Sequence, residues 1–340
     1  MPLTFLGHRI RCGDSLVGMI DLARLKEGVP DEAYRPLSGD DRQVARQAAR
    51  SNRNARQVHE QQLETALDDG LGQELQAYAM ESSELAKVSQ DSLARVQSVE
   101  QIYQNMRGGG SSYERLKKAA DLWTAAFFTP LTKENVTRIA ITRYVRQCME
   151  NPQTPDGRVT GGAEGLATEH AFFHWPLEFP EVFLPSPSGR APRGEGAGFD
   201  VILGNPPFMG GLRISGNFGE PYRKWLEYAF APFGGTADLC AAFFRRAFSL
   251  LRRGGRLGMI ATNTLGQGDT RESGLAVILQ QGGQIHFAQR FVKWPGQASV
   301  EVNLVALSRP PLPLGEGLGV RALPFSTAAS MTSPNANPPA

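Results

Sequence analysis

Cysteine is scarce: Cys12, Cys148 and Cys240 are the only three in 340 residues, and no two have Cys-x-x-Cys spacing. That excludes a disulfide framework and a zinc knuckle, so no metal is expected and a reducing cytoplasm suits the chain. Charge of one sign is lacking as well. Thirty-six Lys and Arg against 34 Asp and Glu leave a formal net charge of +2, so a polyanionic partner would have to be met by a local patch. No apolar run approaches the roughly 20 residues a membrane span needs. The N-terminal stretch MPLTFLGHRIRCGDSL has no charged-then-apolar layout of a signal peptide, and no solenoid unit repeats. A cytoplasmic protein without a membrane partner is expected.

What is present is ordinary for a globular chain: 41% hydrophobic and 21% charged residues, enough for a sizeable core. Residues 8–12 read as a short strand entering the turn Gly13-Asp14-Ser15-Leu16. From residue 39 to 149 glycine and proline become scarce, and Ala, Gln, Glu, Arg and Leu recur at helical spacing. Long helices are predicted over 40–69 and 71–107, an antiparallel hairpin turning near Gly70-Leu71-Gly72 and closed by Gly108-Gly109-Gly110. Shorter helices follow over 113–128 and 133–149.

A Pro/Gly-rich boundary at 151–162 and a loop at 185–198 lead into an alternating pattern. Strand 199–203, helix 238–253, strand 256–262 and helix 271–281 precede strands 285–292 and 298–307. The last two are an expected antiparallel pair around Trp294-Pro295-Gly296-Gln297. Alternation of this kind argues for an α/β sheet with helices on its faces. Residues 308–340, rich in Pro, Gly, Ser and Ala, are expected to be disordered.

In open α/β sheets ligands sit beyond the carboxyl ends of the strands. The stretch FDVILGNPPFMGG, 199–211, ends a strand in Asn205-Pro206-Pro207-Phe208. The prolines fix the backbone, so the corner offers an amide oxygen, a free carbonyl and an aromatic face within one turn. A planar heterocycle with an exocyclic amino group satisfies all three.

Asn205-Pro206-Pro207-Phe208 resembles the catalytic motif of S-adenosylmethionine-dependent N6-adenine DNA methyltransferases. FHWPLEFPEVF (173–183), GRLGMIATNTLGQGDTRE (255–272) and WPGQASVEVNLVAL (294–307) extend the likeness. Together the segments resemble the methylase domain of type IIG restriction-modification and phage-defence proteins, over roughly the first 20 residues and 172–307. The resemblance implies a partial Rossmann-like methyltransferase sheet in four parts. These are a strand and cofactor-site turn (1–20), a long α-helical insertion (39–150), a catalytic part (163–307) and a tail (308–340). It also implies catalysis by Asn205, Pro206, Pro207 and Phe208, base stacking by Phe208 and Trp294, and binding of S-adenosylmethionine by Asp14 and Phe243. Double-stranded DNA is the implied partner, its target adenine flipped from the stack.

The family's glycine-rich loop and acidic ribose ligand have no counterpart before Asp14, and no nuclease or target-recognition region is recognisable. A methylase piece is therefore expected, its missing regions supplied by another polypeptide or lost altogether, in which case it is an inactive remnant. RNA or protein glutamine are alternative amino substrates. Gly315-Glu316-Gly317-Leu318-Gly319 follows no strand and is read as coincidence. Gly13-Asp14-Ser15-Leu16 also spells the nucleophile block of GDSL hydrolases, but no Asp-x-x-His supplies their base. His170 and His174 have metal-ligand spacing but aromatic neighbours, which favours packing. Arg42, Arg46, Arg50, Arg53 and Arg56 fall within roughly 120° of one helix face, a stripe suited to DNA phosphates.

Overall fold

The computed structural model describes residues 7, 9–60, 67–89, 92–151, 153–184, 197–294 and 301–311. Helices come first: α1 (Arg24–Glu27), α2 (Arg42–Glu60), α3 (Leu67–Lys87), α4 (Leu93–Met106), α5 (Ser112–Ala125), α6 (Thr142–Glu150) and α7 (Gly157–Glu169). Two single turns, α8 (Trp175–Glu178) and α9 (Pro180–Phe183), lead to strand β1 (Phe199–Gly204). Then follow α10 (Ile214–Ala229), α11 (Leu239–Leu250), β2 (Leu251–Ala261), α12 (Gly268–Ser273), α13 (Leu275–Gln280), β3 (Gln284–Lys293) and β4 (Glu301–Ser308).

The strands form one mixed sheet in the order β1-β2-β4-β3, with β1 and β2 parallel and β4 antiparallel to both its neighbours. This is the expected α/β architecture. Helices α11 and α13 cover one face: Phe244, Phe248 and Ile278 pack with Leu257, Met259, Val305 and Leu307 in one apolar core. On β1, Val201 and Leu203 remain 59% and 79% exposed. A second core joins the helical block to α10 and to the first turn of α11, so α11 is the wall shared by both. Its sequence LCAAFFRRAFSL is apolar nearly all round, as a helix buried on both sides requires.

Helix α5 is the axis of the helical block, and Leu116, Ala119, Ala120, Leu122 and Trp123 are all buried. Helix α2 lays Val44, Ala45 and Ala48 inward. Asn52 shares that face, donating to the Val29 carbonyl at 2.8 Å and accepting from Thr142 N–H at 2.9 Å.

Several boundaries differ from expectation. Among residues 9–12 no strand forms; Arg11 Nε donates to the Glu178 carbonyl at 3.1 Å, drawing the segment across the helical block. The chain then runs beside 171–175, with Asp14 N–H on Ala171 O and Phe173 N–H on Val17 O, both at 2.7 Å. Gly70 and Gly72 lie inside α3 rather than at a turn, with open space around both. The predicted helix 71–107 is split, because Ser92 caps the start of α4 by accepting from Arg95 N–H. Helix 133–149 is reduced to a 3₁₀ turn at Lys133–Asn135 and α6.

Residues 157–162, read as part of a loop, begin α7: burial of Val159, Ala163 and Ala167 overrides its poor glycine propensity. Helix 238–253 stops at Leu250, and 251–253 open β2. Helix 271–281 breaks at Gly274, where a Cβ would stand 2.9 Å from the Thr270 carbonyl. The turn 295–297, the glycine run at 315–319 and nearly all of the expected tail lie outside the described residues.

Candidate active site

Strand β1 ends where its sequence stops permitting a ladder. Pro206 and Pro207 have no N–H to donate, so the chain leaves the sheet at Gly204. It is fixed again a few residues on: Leu239 N–H at the start of α11 donates to the Met209 carbonyl at 2.9 Å. Gly211 permits a close pass, since a Cβ there would meet Ala237 O at 2.5 Å. Held at both ends, the corner buries Pro206 and exposes Asn205, Pro207 and Phe208. Among the described residues no hydrogen bond occupies the Asn205 amide or the Pro206 carbonyl.

Beside the corner lies a cleft of about 440 Å³ whose lining includes Ser15, Asn205, Pro206, Pro207, Phe243 and Arg246. The structure thus brings an N-terminal turn, the corner and α11 to one place. Phe208, 43% exposed, and Trp294, 37% exposed, do not line this cleft. Nor do they stack on each other.

Asp14 sits just behind Ser15. Its Oδ1 accepts from Leu16 N–H at 2.9 Å, and its carboxyl also meets the Tyr222 hydroxyl. Burial raises its pKa, against the lowering effect of these bonds and of Arg246. A carboxylate has lone pairs enough for one further donor. Phe243, half-buried on α11, presents ring surface to the cleft. Arg246 is buried, and desolvation brings its pKa down to about 9. Its Nη2 donates to the Leu16 carbonyl at 2.9 Å, while its Nε is buried without a partner.

The remaining sequence candidates are placed elsewhere. His174 is packed: Nδ1 accepts from Met19 N–H at 3.1 Å, so Nε2 donates to Asp121 Oδ1 at 2.9 Å. His170 packs on Phe128, ring centroids 4.6 Å apart. No group that could hold a metal ion forms among the described residues. On α2, Arg42, Arg46, Arg50 and Arg53 are exposed and Arg56 is half-buried. Asp31 takes the end of the stripe, 3.6 Å from Arg53 Nη1 and 2.6 Å from Arg56 Nη2.

Three residues near the corner escaped sequence reasoning. Tyr222 and Arg246 look like core and surface helix positions, and only folding sets them against Asp14. Asn263, just past the carboxyl end of β2, keeps a buried Oδ1 with no hydrogen-bond partner. Its place after an apolar strand was the available signal, the same one that marks Asn205. Chemically, the corner is a pair of acceptors with an aromatic at its edge and an apolar cleft behind it. No helix is long and apolar enough to cross a membrane among the described residues.

No curated protein matches the chain. A solved structure, the Type IIL restriction-modification enzyme MmeI in complex with DNA, matches at 21% identity and a TM-score of 0.26. That match covers 52% of this chain and 23% of that one, so the chain spans about a quarter of its length. The family model for the Eco57I restriction-modification methylase matches residues 79–281, from within α3 to just past α13. It takes in the corner, Phe243 and Arg246, and leaves Asp14 and Trp294 outside. With more than half of its length matched, the chain belongs to the Eco57I restriction-modification methylase family.

Proposed function

We propose that the chain carries the methyl-transfer site of a DNA methylase acting on adenine N6, with Asn205-Pro206-Pro207-Phe208 as its reacting corner. One observation carries the reading. Within a matched methylase region, two acceptors with no hydrogen bond among the described residues stand at the carboxyl end of a parallel strand, beside a cleft lined by an aromatic.

An exocyclic amino group is a poor nucleophile because its lone pair is conjugated into the ring. Asn205 Oδ1 and the Pro206 carbonyl would accept its two N–H bonds and draw the nitrogen toward tetrahedral geometry. The Pro206 carbonyl is held by its buried proline, and with the Asn205 amide it would stabilise the positive charge that develops on nitrogen. They also hold the proton that must then leave for solvent. Phe208 would stack on the extruded base, with Trp294 at its other side.

The cofactor implied is S-adenosylmethionine, which supplies an electrophilic methyl group on a sulfonium. Phe243 would offer its adenine end a ring to pack on, and Asp14, behind Ser15 and outside the cleft lining, a carboxylate for the amino group. Residues 1–20 are the segment of the proposed division that contributes this turn. Nuclease and specificity regions on another polypeptide are proposed as a further partner. Arg42, Arg46 and Arg50 would track DNA phosphates, Arg53 and Arg56 being held by Asp31. A cytoplasmic location suits the reading.

Calorimetric titration with S-adenosylmethionine tests the cofactor assignment. The chain should bind it, and Asp14→Ala should lose that binding while staying folded. Equal binding by both would remove Asp14 from the site.

A further inference from the structure

Strand β3 is one of the two edges of the sheet among the described residues, and every residue in it but Val292 is exposed. Edge strands usually protect themselves with charged side chains, prolines, bulges or short length, and here two bulges with Arg290 and Lys293 do so. This one spans ten residues, has no carboxylate, and sets Phe287 and Phe291 among His286, Arg290 and Lys293.

Its register against β4 slips between Gln289 and Val292. Within that bulge Phe291 adopts φ 57°, a left-handed conformation that a bulky residue resists. The buried side chain of Asn303 holds it there: Oδ1 accepts from Phe291 N–H, and Nδ2 donates to the Thr262 carbonyl, each at 3.3 Å. The bulge is therefore fastened to the carboxyl end of β2. Phe291 is left 53% exposed, with the Arg290 guanidinium 4.6 Å from its ring centroid. A strained backbone and a buried amide are both committed to keeping an aromatic ring in water. Such strain gathers at binding sites.

The bulge also faces the right end of the sheet. Lys293 pairs with Glu301 and Ala261 with Asn303, so β3 ends where β1 and β2 end. Three strand spacings separate it from the corner, roughly 14 Å.

We propose that the Asn303-held bulge, with Phe291 and Arg290 at its tip, is a stacking platform for an unpaired DNA base flanking the one presented to the Asn205 corner. The inference rests on the reading of the chain as a DNA methylase. An aromatic face with an adjacent cation suits single-stranded DNA in particular, since any base can stack there.

Fluorescence anisotropy of the full chain with a fluorescein-labelled DNA single strand tests it. Phe291→Gly should weaken binding about tenfold. It should not lower the melting temperature, because glycine adopts the left-handed conformation freely. Phe291→Trp should retain binding, and Arg290→Gln should reduce the salt slope by about 1. Unchanged affinity in Phe291→Gly, with methyl transfer still dependent on Asn205, overturns the platform alone. Wild-type chain that binds no DNA overturns both the platform and the function it rests on.

Discussion

Arg246 donates from Nη2 to the carbonyl of Leu16 at 2.9 Å, joining positions 230 residues apart. The bond fastens the turn that carries Asp14 to the helix that carries Phe243. Trp225 Nε1 reaches the same carbonyl at 2.8 Å, so α10 and α11 grip one peptide group between them. The two residues proposed to hold adenine therefore belong to one rigid unit.

Replacing Arg246 by methionine should separate folding from binding. Desolvation of Arg246 opposes its bond to Leu16 and its attraction to Asp14, so urea unfolding should shift by no more than about 3 kcal/mol. Affinity for S-adenosylmethionine should nevertheless fall about tenfold, because the Asp14 turn loses one tether. Destabilisation well beyond that bound would make Arg246 a core strut instead.

Lys224 gives a pH signature. It is buried, its Nζ donates to the Ala33 carbonyl at 3.0 Å, and desolvation lowers its pKa to about 8. Between that value and the ordinary lysine range the unfolded chain binds more protons than the folded one. Stability should therefore rise from pH 8 toward 10.5, by at most about 3 kcal/mol from this group. Lys224→Met should flatten that part of the profile, as read by denaturant midpoints across the range.

The three thiols should differ sharply. Cys12 is exposed, whereas burial pushes both Cys148 and Cys240 up to about 12. At pH 8 a chromogenic disulfide should label one thiol at once and the other two only on unfolding. Cys12→Ser should abolish the fast phase.

How much of this was legible follows from where each signal resides. The FDVIL run and the Asn-Pro-Pro corner are local, so strand, stop and exposed acceptors could all be read along the chain. The strand expected at 8–12 failed because pairing is decided by a distant partner, here residues 171–175 and Glu178. Helix α7 was hidden by four glycines, and only burial of Val159, Ala163 and Ala167 makes it a helix. The Asp14–Tyr222–Arg246 cluster, like the Asn303 tether, joins residues too far apart in sequence for spacing to reveal.

On α2, charge reversal at Arg42, Arg46 and Arg50 should weaken DNA binding and lower the salt slope by about 3. Reversal at Arg53 and Arg56 should do less, because Asp31 already neutralises that end. Equal effects from both sets would detach DNA binding from this stripe.

The most direct measurement is transfer of a labelled methyl group from S-adenosylmethionine to DNA, with Asn205→Ala beside the wild type and the modified base identified after digestion. The account predicts label in N6-methyladenine with the wild type and none with Asn205→Ala, although both bind DNA equally. Label unaffected by the substitution, or found in RNA, protein or another base, would contradict it.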